Sequence, residues 1–135
     1  MKIFLKSLYR VFSSFLGKQV LQCAFRNAAK RIDKMNYDTV VAMQEGTATH
    51  TVAHTSATNK IAWVRCDYSK YFEIVNDNEE KIYAEFNHII CVSEYTKQVF
   101  IKHYPSLKNK CHGIHNMIDY KSIIEMSNDN SAIDD

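Results

Sequence analysis

The sequence predicts an α/β fold with a parallel sheet of about four strands flanked by helices, preceded by a helical N-terminal segment. From residue 37 onward, short apolar runs alternate with segments of helical length. A strand, a helix and a second strand in so short a space imply a crossover connection, and therefore parallel strands. Polar residues follow each apolar run, as at the carboxyl ends of strands where open parallel sheets bind ligands. These observations together indicate a Rossmann-like layered domain.

The first 34 residues are predicted to form a basic amphipathic helical segment. Apolar residues recur at helical spacing over residues 2–16 and 18–34, with a helix break expected at Gly17. Residues 1–35 carry eight Lys or Arg and one acid, a net charge of +7, so the rest of this +2 chain carries −5. Three interpretations stay open: core-facing helices with solvated basic residues, an interfacial helix on anionic lipid, and a surface for a partner protein.

Residues 35–126 are predicted to form the α/β domain, and the polar residues 127–135 a tail or the start of an interdomain linker. Strands are expected at 37–43, 60–64, 88–92 and 110–115. Helices are expected at 47–58, 78–86, 94–103 and 120–126, with an aromatic-rich loop at 69–77. Ser93 is a natural cap for the third of these helices, and Pro105 ends it.

Several classes of function find no support in the sequence. With three glycines and one proline, it contains no glycine-rich phosphate loop and no nucleophile elbow. None of the four cysteines is in CxxC spacing, which favours free thiols in a reducing compartment. His50 and His54 have the i, i+4 spacing of metal ligands, but no acidic residue follows His50, so solvated or core-edge histidines are favoured and no metal site is expected. No apolar run approaches the roughly 20 residues of a membrane span.

Polar residues at the carboxyl ends of the predicted strands are the candidates for a binding site. The set is Glu45, Gly46, Arg65, Asp67, Ser93, Glu94 and Asn116. Gly46 lets the backbone approach a ligand closely. Arg65 offers a two-pronged hydrogen bond to a phosphate or carboxylate. Glu45 and Asp67 can accept hydrogen bonds from sugar hydroxyls.

Each candidate also has a structural interpretation, which the sequence leaves open. Ser93 is a helix cap, and Glu94 in a first helical turn is favoured by the helix dipole. Asp67 begins a turn, and Arg65 pairs with Glu45.

Aromatic residues near these strand ends suggest a second kind of ligand contact. They can stack on a sugar or line an acyl chain, although Trp63 is also a natural core residue. The four aromatic candidates are Trp63, Tyr68, Tyr71 and Phe72.

Four strings then stand out in order along the chain. They are YDTVVAMQEG (37–46), KIAWVRCDY (60–68), HIICVSEYTKQVFIKHYPSLKNK (88–110) and HNMID (115–119). Over roughly residues 35–125, they resemble the N-terminal, acceptor-side domain of the retaining GT-B glycosyltransferases of family 4. The family often has a histidine after the Trp-containing strand, where this sequence has Arg65.

The resemblance implies half of a GT-B architecture and a partial glycosyltransferase. Its substrate would be a saccharide or lipid-linked acceptor, and the catalytic residues are not identified. For the complete enzyme, the resemblance implies a nucleotide sugar as donor. This donor would be bound by a second domain, supplied in cis or in trans, rather than by this chain. The isolated chain is therefore expected to have no activity. The implied location is the cytoplasm, at the inner face of the membrane if residues 2–34 bind anionic lipid.

The alternative is a non-catalytic α/β binding or docking module, associated with a membrane surface or a partner protein. Nucleic acid is not an expected partner, because only the basic N-terminal segment would attract a phosphate backbone.

Overall fold

A computed structural model describes residues 2–74 and 79–128, with side chains from 16–71 and 79–128. Its centre is one four-stranded sheet in the order β1-β2-β3-β4, with every neighbouring pair parallel. The strands are β1 (Thr39–Ala42), β2 (Asn59–Val64), β3 (His88–Cys91) and β4 (Cys111–Gly113). The predicted α/β class and parallel sheet of four strands are confirmed.

Six α-helices and one 3-10 helix complete the described part of the chain. They are α1 (Lys2–Asp33), α2 (Thr47–Ala53), α3 (Tyr68–Ile74), α4 (Glu79–Ala84), α5 (Glu94–His103), the 3-10 helix Pro105–Lys110 and α6 (Tyr120–Ser127). Helix α5 has the predicted bounds, and the Ser93 side chain caps it by accepting a hydrogen bond from the Thr96 backbone N–H. The 3-10 helix after Pro105 was not predicted.

The expected helix break at Gly17 is wrong, because α1 continues through it. A glycine in a helix interior costs roughly 0.5–1 kcal/mol relative to alanine, but it keeps both backbone hydrogen-bonding groups and so need not end a helix.

The loop expected at 69–77 is also wrong for residues 69–74, because α3 occupies Tyr68–Ile74. The Asp67 side chain accepts hydrogen bonds from the Ser69 backbone N–H and hydroxyl at the start of this helix, and the Tyr68 side chain is buried. The last three residues of the expected loop, like residues 129–135 of the polar tail, lie outside the described residues.

The hydrophobic core lies on one face of the sheet. Right-handed crossovers between adjacent parallel strands taken in sequence order place the connecting helices α2 to α5 on a single face. Side chains from that face pack with an aromatic cluster contributed by α3, α4, α5 and the residue after α5. This cluster consists of Tyr68, Tyr83, Phe100 and Tyr104.

The other face of the sheet is left open by the described helices. Helix α1 packs on α2 through Phe25, whose ring stacks on His50 at a centroid distance of 5.0 Å, and α6 buries none of its side chains. Val41 is therefore 38% exposed and Met43 51% exposed. Strand alternation and register assign eight strand side chains to this surface, here called the open face: Thr39, Val41, Asn59, Ile61, Trp63, His88, Ile90 and His112. Among them Ile90 is buried, at 8% exposure.

Candidate functional site

The carboxyl ends of the four strands meet at one edge of the sheet. The backbone N–H of Val92, just after β3, donates to the Val64 carbonyl at the end of β2 (3.1 Å). The backbone N–H of Ile114, just after β4, donates to the Cys91 carbonyl at the end of β3 (2.9 Å). The segments that follow the strands therefore start side by side, and this carboxyl edge carries most of the residues selected from the sequence.

Glu45 connects the ends of β1 and β2. Its carboxylate Oε1 accepts hydrogen bonds from the backbone N–H groups of Arg65 and Cys66, the latter at 2.9 Å. The pairing of Glu45 with the Arg65 guanidinium, considered from the sequence, is therefore replaced by a contact with the Arg65 backbone. The guanidinium itself is exposed and has no acidic partner among the described residues. It is available to an anionic ligand at this edge.

Cys66 lies beside the Glu45 carboxylate, and its thiol is a poor nucleophile. Burial, and next the hydrogen bond and negative charge of Glu45, raise the pKa of the Cys66 thiol to about 12. The thiolate is the reactive form of cysteine. At neutral pH Cys66 therefore stays protonated, and covalent catalysis by this residue is not supported.

The Glu45→Gln substitution is expected to increase the alkylation rate of Cys66 at pH 8. Removing the carboxylate charge lowers the thiol pKa and raises the thiolate fraction. Iodoacetamide labelling followed by peptide mass spectrometry measures the rate, with the exposed Cys23 as an internal control whose rate stays the same. Equal alkylation rates for Cys66 before and after the substitution would contradict this account.

Gly46 and Tyr71 come together where β1 leads into α2. Gly46 has a φ of 79°, a left-handed conformation that favours glycine. A Cβ atom at Gly46 would lie 3.6 Å from the Tyr71 hydroxyl. Burial, and next the charges of Glu79 and Glu45, raise the pKa of Tyr71 to about 12. Tyr71 therefore presents a neutral phenol to this corner of the edge, able to donate a hydrogen bond.

Three further candidates have structural contacts of their own. Hydrogen bonds from Ser69 lower the pKa of Asp67, which is exposed. Ser93 caps α5, and the Glu94 carboxylate pairs with the ammonium group of Lys97 at 3.0 Å. The structural interpretations left open for Asp67 and Ser93 are therefore realised. Their exposed or half-exposed oxygens still lie along the carboxyl edge.

The end of β4 approaches the start of α5, but Asn116 stays apart. A Cβ atom at Gly113 would lie 2.6 Å from Oε2 of Glu94, so the two segments are in close contact. Asn116 is exposed in the segment that leads to α6, and no described hydrogen bond joins it to another candidate. The structure thus brings strand-end residues of β1, β2 and β3 to one edge and leaves Asn116 outside their contacts.

The aromatic candidates separate into different environments. Tyr68 is fully buried in the core, so its predicted role in stacking on a ligand is wrong. Trp63 is half-buried on the open face, away from the helix-covered core. The Phe72 side chain lies outside the described residues. Of the three candidates whose side chains are described, Tyr71 contacts the carboxyl edge, through its hydroxyl near Gly46.

A buried pair between α2 and α4 was missed by the sequence reasoning. Nε2 of His50 lies 2.7 Å from Oε1 of Glu79, a residue that is 3% exposed. Nδ1 of His54 instead contacts the His50 carbonyl at 2.8 Å. The two histidines therefore have separate partners. Nothing in the run Asn78-Glu79-Glu80-Lys81 distinguishes Glu79 from a solvated acid, so the sequence carried no signal for this pair.

Comparison with known proteins gives no relative for the chain. No protein-family model, no curated protein and no solved structure matches it. Within residues 2–74 and 79–128, no helix is both long enough and apolar enough to cross a bilayer. The same residues contain no group of three His, Cys, Asp or Glu side chains arranged to hold a metal ion.

Proposed function

We propose that the chain is the acceptor-binding half of a retaining GT-B glycosyltransferase, inactive alone. Its acceptor is a saccharide or a lipid-linked saccharide. The proposal is supported by the parallel sheet and by the strings that resemble family 4, whose polar residues follow the strand ends. The nucleotide-sugar donor binds to a second domain, supplied in cis or in trans.

The free guanidinium of Arg65 is the observation that carries the proposal. It is an exposed cation at the end of β2, without an acidic partner in the described part of the chain, and the backbone N–H of the same residue donates to the Glu45 carboxylate. A guanidinium binds phosphate oxygens in a two-pronged geometry. We assign it to the pyrophosphate of a lipid-linked acceptor, with the Tyr71 hydroxyl and the Glu94 carboxylate available to sugar hydroxyls.

The contribution of this half to catalysis is positioning. Holding the acceptor hydroxyl against a donor sugar converts a bimolecular step into an effectively unimolecular one. Stabilisation of the leaving diphosphate belongs to the nucleotide-sugar domain. The purified chain therefore transfers no sugar when given a nucleotide sugar and an acceptor.

The Arg65→Ala substitution is expected to weaken binding of a prenyl pyrophosphate-linked saccharide at least tenfold. Hydrogen bonds to charged groups contribute roughly 1.5–3 kcal/mol, and about 1.4 kcal/mol corresponds to a factor of ten. Isothermal titration calorimetry with the purified chain measures the affinity. Lys108→Ala is the control, because it removes the same charge from an exposed position in the 3-10 helix that precedes β4. Equal affinities of the two variants would rule out the role of Arg65.

A second function, docking to an anionic membrane at the cytoplasmic side, is favoured by helix α1. Between residues 16 and 24, the helix exposes apolar side chains such as Leu16 and Val20 next to Lys18. Such a helix binds lipid through apolar burial and charge attraction. Co-sedimentation should be stronger with vesicles containing phosphatidylserine than with phosphatidylcholine alone, and equal binding would refute the electrostatic part of this proposal.

A further inference from the structure

Two histidines on the open face lie next to each other across the pair of strands β3 and β4. Nδ1 of His88 lies 3.2 Å from Nε2 of His112, and the ring centroids are 5.3 Å apart. In the parallel register His112 pairs with Ile90, so the two histidines are diagonal neighbours on one face. Both side chains are exposed. Because the two residues are 24 positions apart and on different strands, no spacing along the sequence indicates this pair.

The distance between the two ring nitrogens suits a shared metal ion. Zn²⁺ binds imidazole nitrogen at about 2.0–2.1 Å in tetrahedral geometry, which places two such nitrogens about 3.3–3.4 Å apart. The same distance also fits a hydrogen bond from one neutral imidazole to the other. The χ2 torsion of histidine is soft, so small ring rotations can turn both lone pairs toward one ion. The ring that donated the hydrogen bond then carries its proton on its other nitrogen.

We propose that His88 and His112 bind a divalent transition-metal ion such as Zn²⁺. Imidazole nitrogen suits zinc and copper, whereas Mg²⁺ and Ca²⁺ prefer oxygen ligands. Within the described part of the chain, no third His, Cys, Asp or Glu joins the pair, so water fills the remaining coordination positions. His88 begins β3, at the end of the strand opposite to the carboxyl edge. This inference therefore goes beyond the proposed function and does not depend on it.

The surroundings of the pair favour a moderate affinity. Both imidazoles are carried by paired strands, so once one has bound the ion, the other binds it intramolecularly. Lys110 lies two residues before His112, and its ammonium group is already engaged by the carbonyls of Ala84 and Phe86, at 2.7 and 2.8 Å. No described hydrogen bond orients the remote nitrogens of the two rings. With two protein ligands and no such support, the site should bind more weakly than a structural zinc site with four.

Isothermal titration calorimetry of the full chain with zinc chloride tests the proposal. A Cys23→Ser background removes the exposed thiol as a competing ligand. One ion per chain is expected, and magnesium chloride should give no binding. His88→Ala and His112→Ala should each weaken zinc binding at least about tenfold, because a single imidazole cannot chelate the ion. His115→Ala is the matched control, since it removes an exposed histidine three residues after His112, and it should leave the affinity unchanged.

NMR of the histidine ring nitrogens identifies the coordinating atoms in the same protein. Zinc should shift Nδ1 of His88 and Nε2 of His112 and leave the ring nitrogens of His54 and His115 in place. The proposal is overturned if the chain binds no zinc, or if His115→Ala weakens binding as much as His88→Ala does. Zinc-dependent shifts confined to other histidines would also overturn it.

Discussion

Replacing Phe100 with alanine is expected to lower the free energy of unfolding by about 3–5 kcal/mol. Phe100 is fully buried on α5. Its ring centroid lies 4.8 Å from that of Tyr68, 4.9 Å from that of Tyr83 and 5.1 Å from that of Tyr104. The substitution removes apolar burial and leaves a cavity bounded by three rings, and such cavities collapse only in part.

Urea denaturation followed by circular dichroism measures this loss. Tyr95→Ala is the matched control, because it removes an aromatic side chain that is 65% exposed on the same helix. The control should change the free energy of unfolding by less than about 0.5 kcal/mol. Equal losses for the two variants would mean that α5 does not pack on the sheet through Phe100.

The Glu79→Ala substitution is expected to lower the free energy of unfolding by about 2–3 kcal/mol. It removes the buried partner of His50, and hydrogen bonds that involve a charged group contribute roughly 1.5–3 kcal/mol. Because Phe25 of α1 stacks on the His50 ring, the loss also weakens the attachment of α1 to α2. The substitution therefore affects two layers of helices through one carboxylate.

Two variants separate the hydrogen bond from the loss of an acid. Glu79→Gln keeps an acceptor oxygen near His50 and should be less destabilising than Glu79→Ala. Glu85→Ala removes an exposed acid just after α4 and should have almost no effect on urea denaturation. If Glu79→Ala behaves like Glu85→Ala, the buried pair does not stabilise the fold.

The strands and α5 were predictable because their signals are local. Apolar runs such as His88-Ile89-Ile90-Cys91-Val92 indicate buried strands, and Ser93 and Pro105 limit the helix between them. Helix α3 was not predicted, because its aromatic-rich sequence is also compatible with a loop. Only the structure shows that Tyr68 is buried in the core. Continuity of α1 through Gly17 was missed because a glycine permits a break without requiring one.

The open face could not be predicted from the sequence. The same apolar runs suggest strands buried on both faces, as in most parallel sheets. Only the strand order reveals that all the crossover helices lie on one side. Two of these apolar runs, in β1 and β2, include Val41 and Trp63, and the structure leaves both side chains partly exposed.

The candidate site was predictable in position but not in contacts. Residues that follow parallel strands gather at one edge, which is a consequence of topology. Which atoms form hydrogen bonds depends on differences in distance of a few tenths of an ångström between segments that are far apart in sequence. The sequence does not show that Glu45 accepts hydrogen bonds from two backbone N–H groups rather than from the Arg65 guanidinium. Nor does it show that Tyr68 is buried.

Amide NMR of the isotope-labelled chain, titrated with a short-chain prenyl pyrophosphate-linked saccharide, tests the acceptor-binding proposal most directly. The proposal predicts shifts at the carboxyl edge, in the backbone amides of Gly46, Arg65 and Ser93. Amides at the opposite ends of the strands, such as Asn59 and His88, should stay unchanged. Shifts confined to α1, or no shifts at saturating acceptor, would contradict an acceptor site at the carboxyl edge.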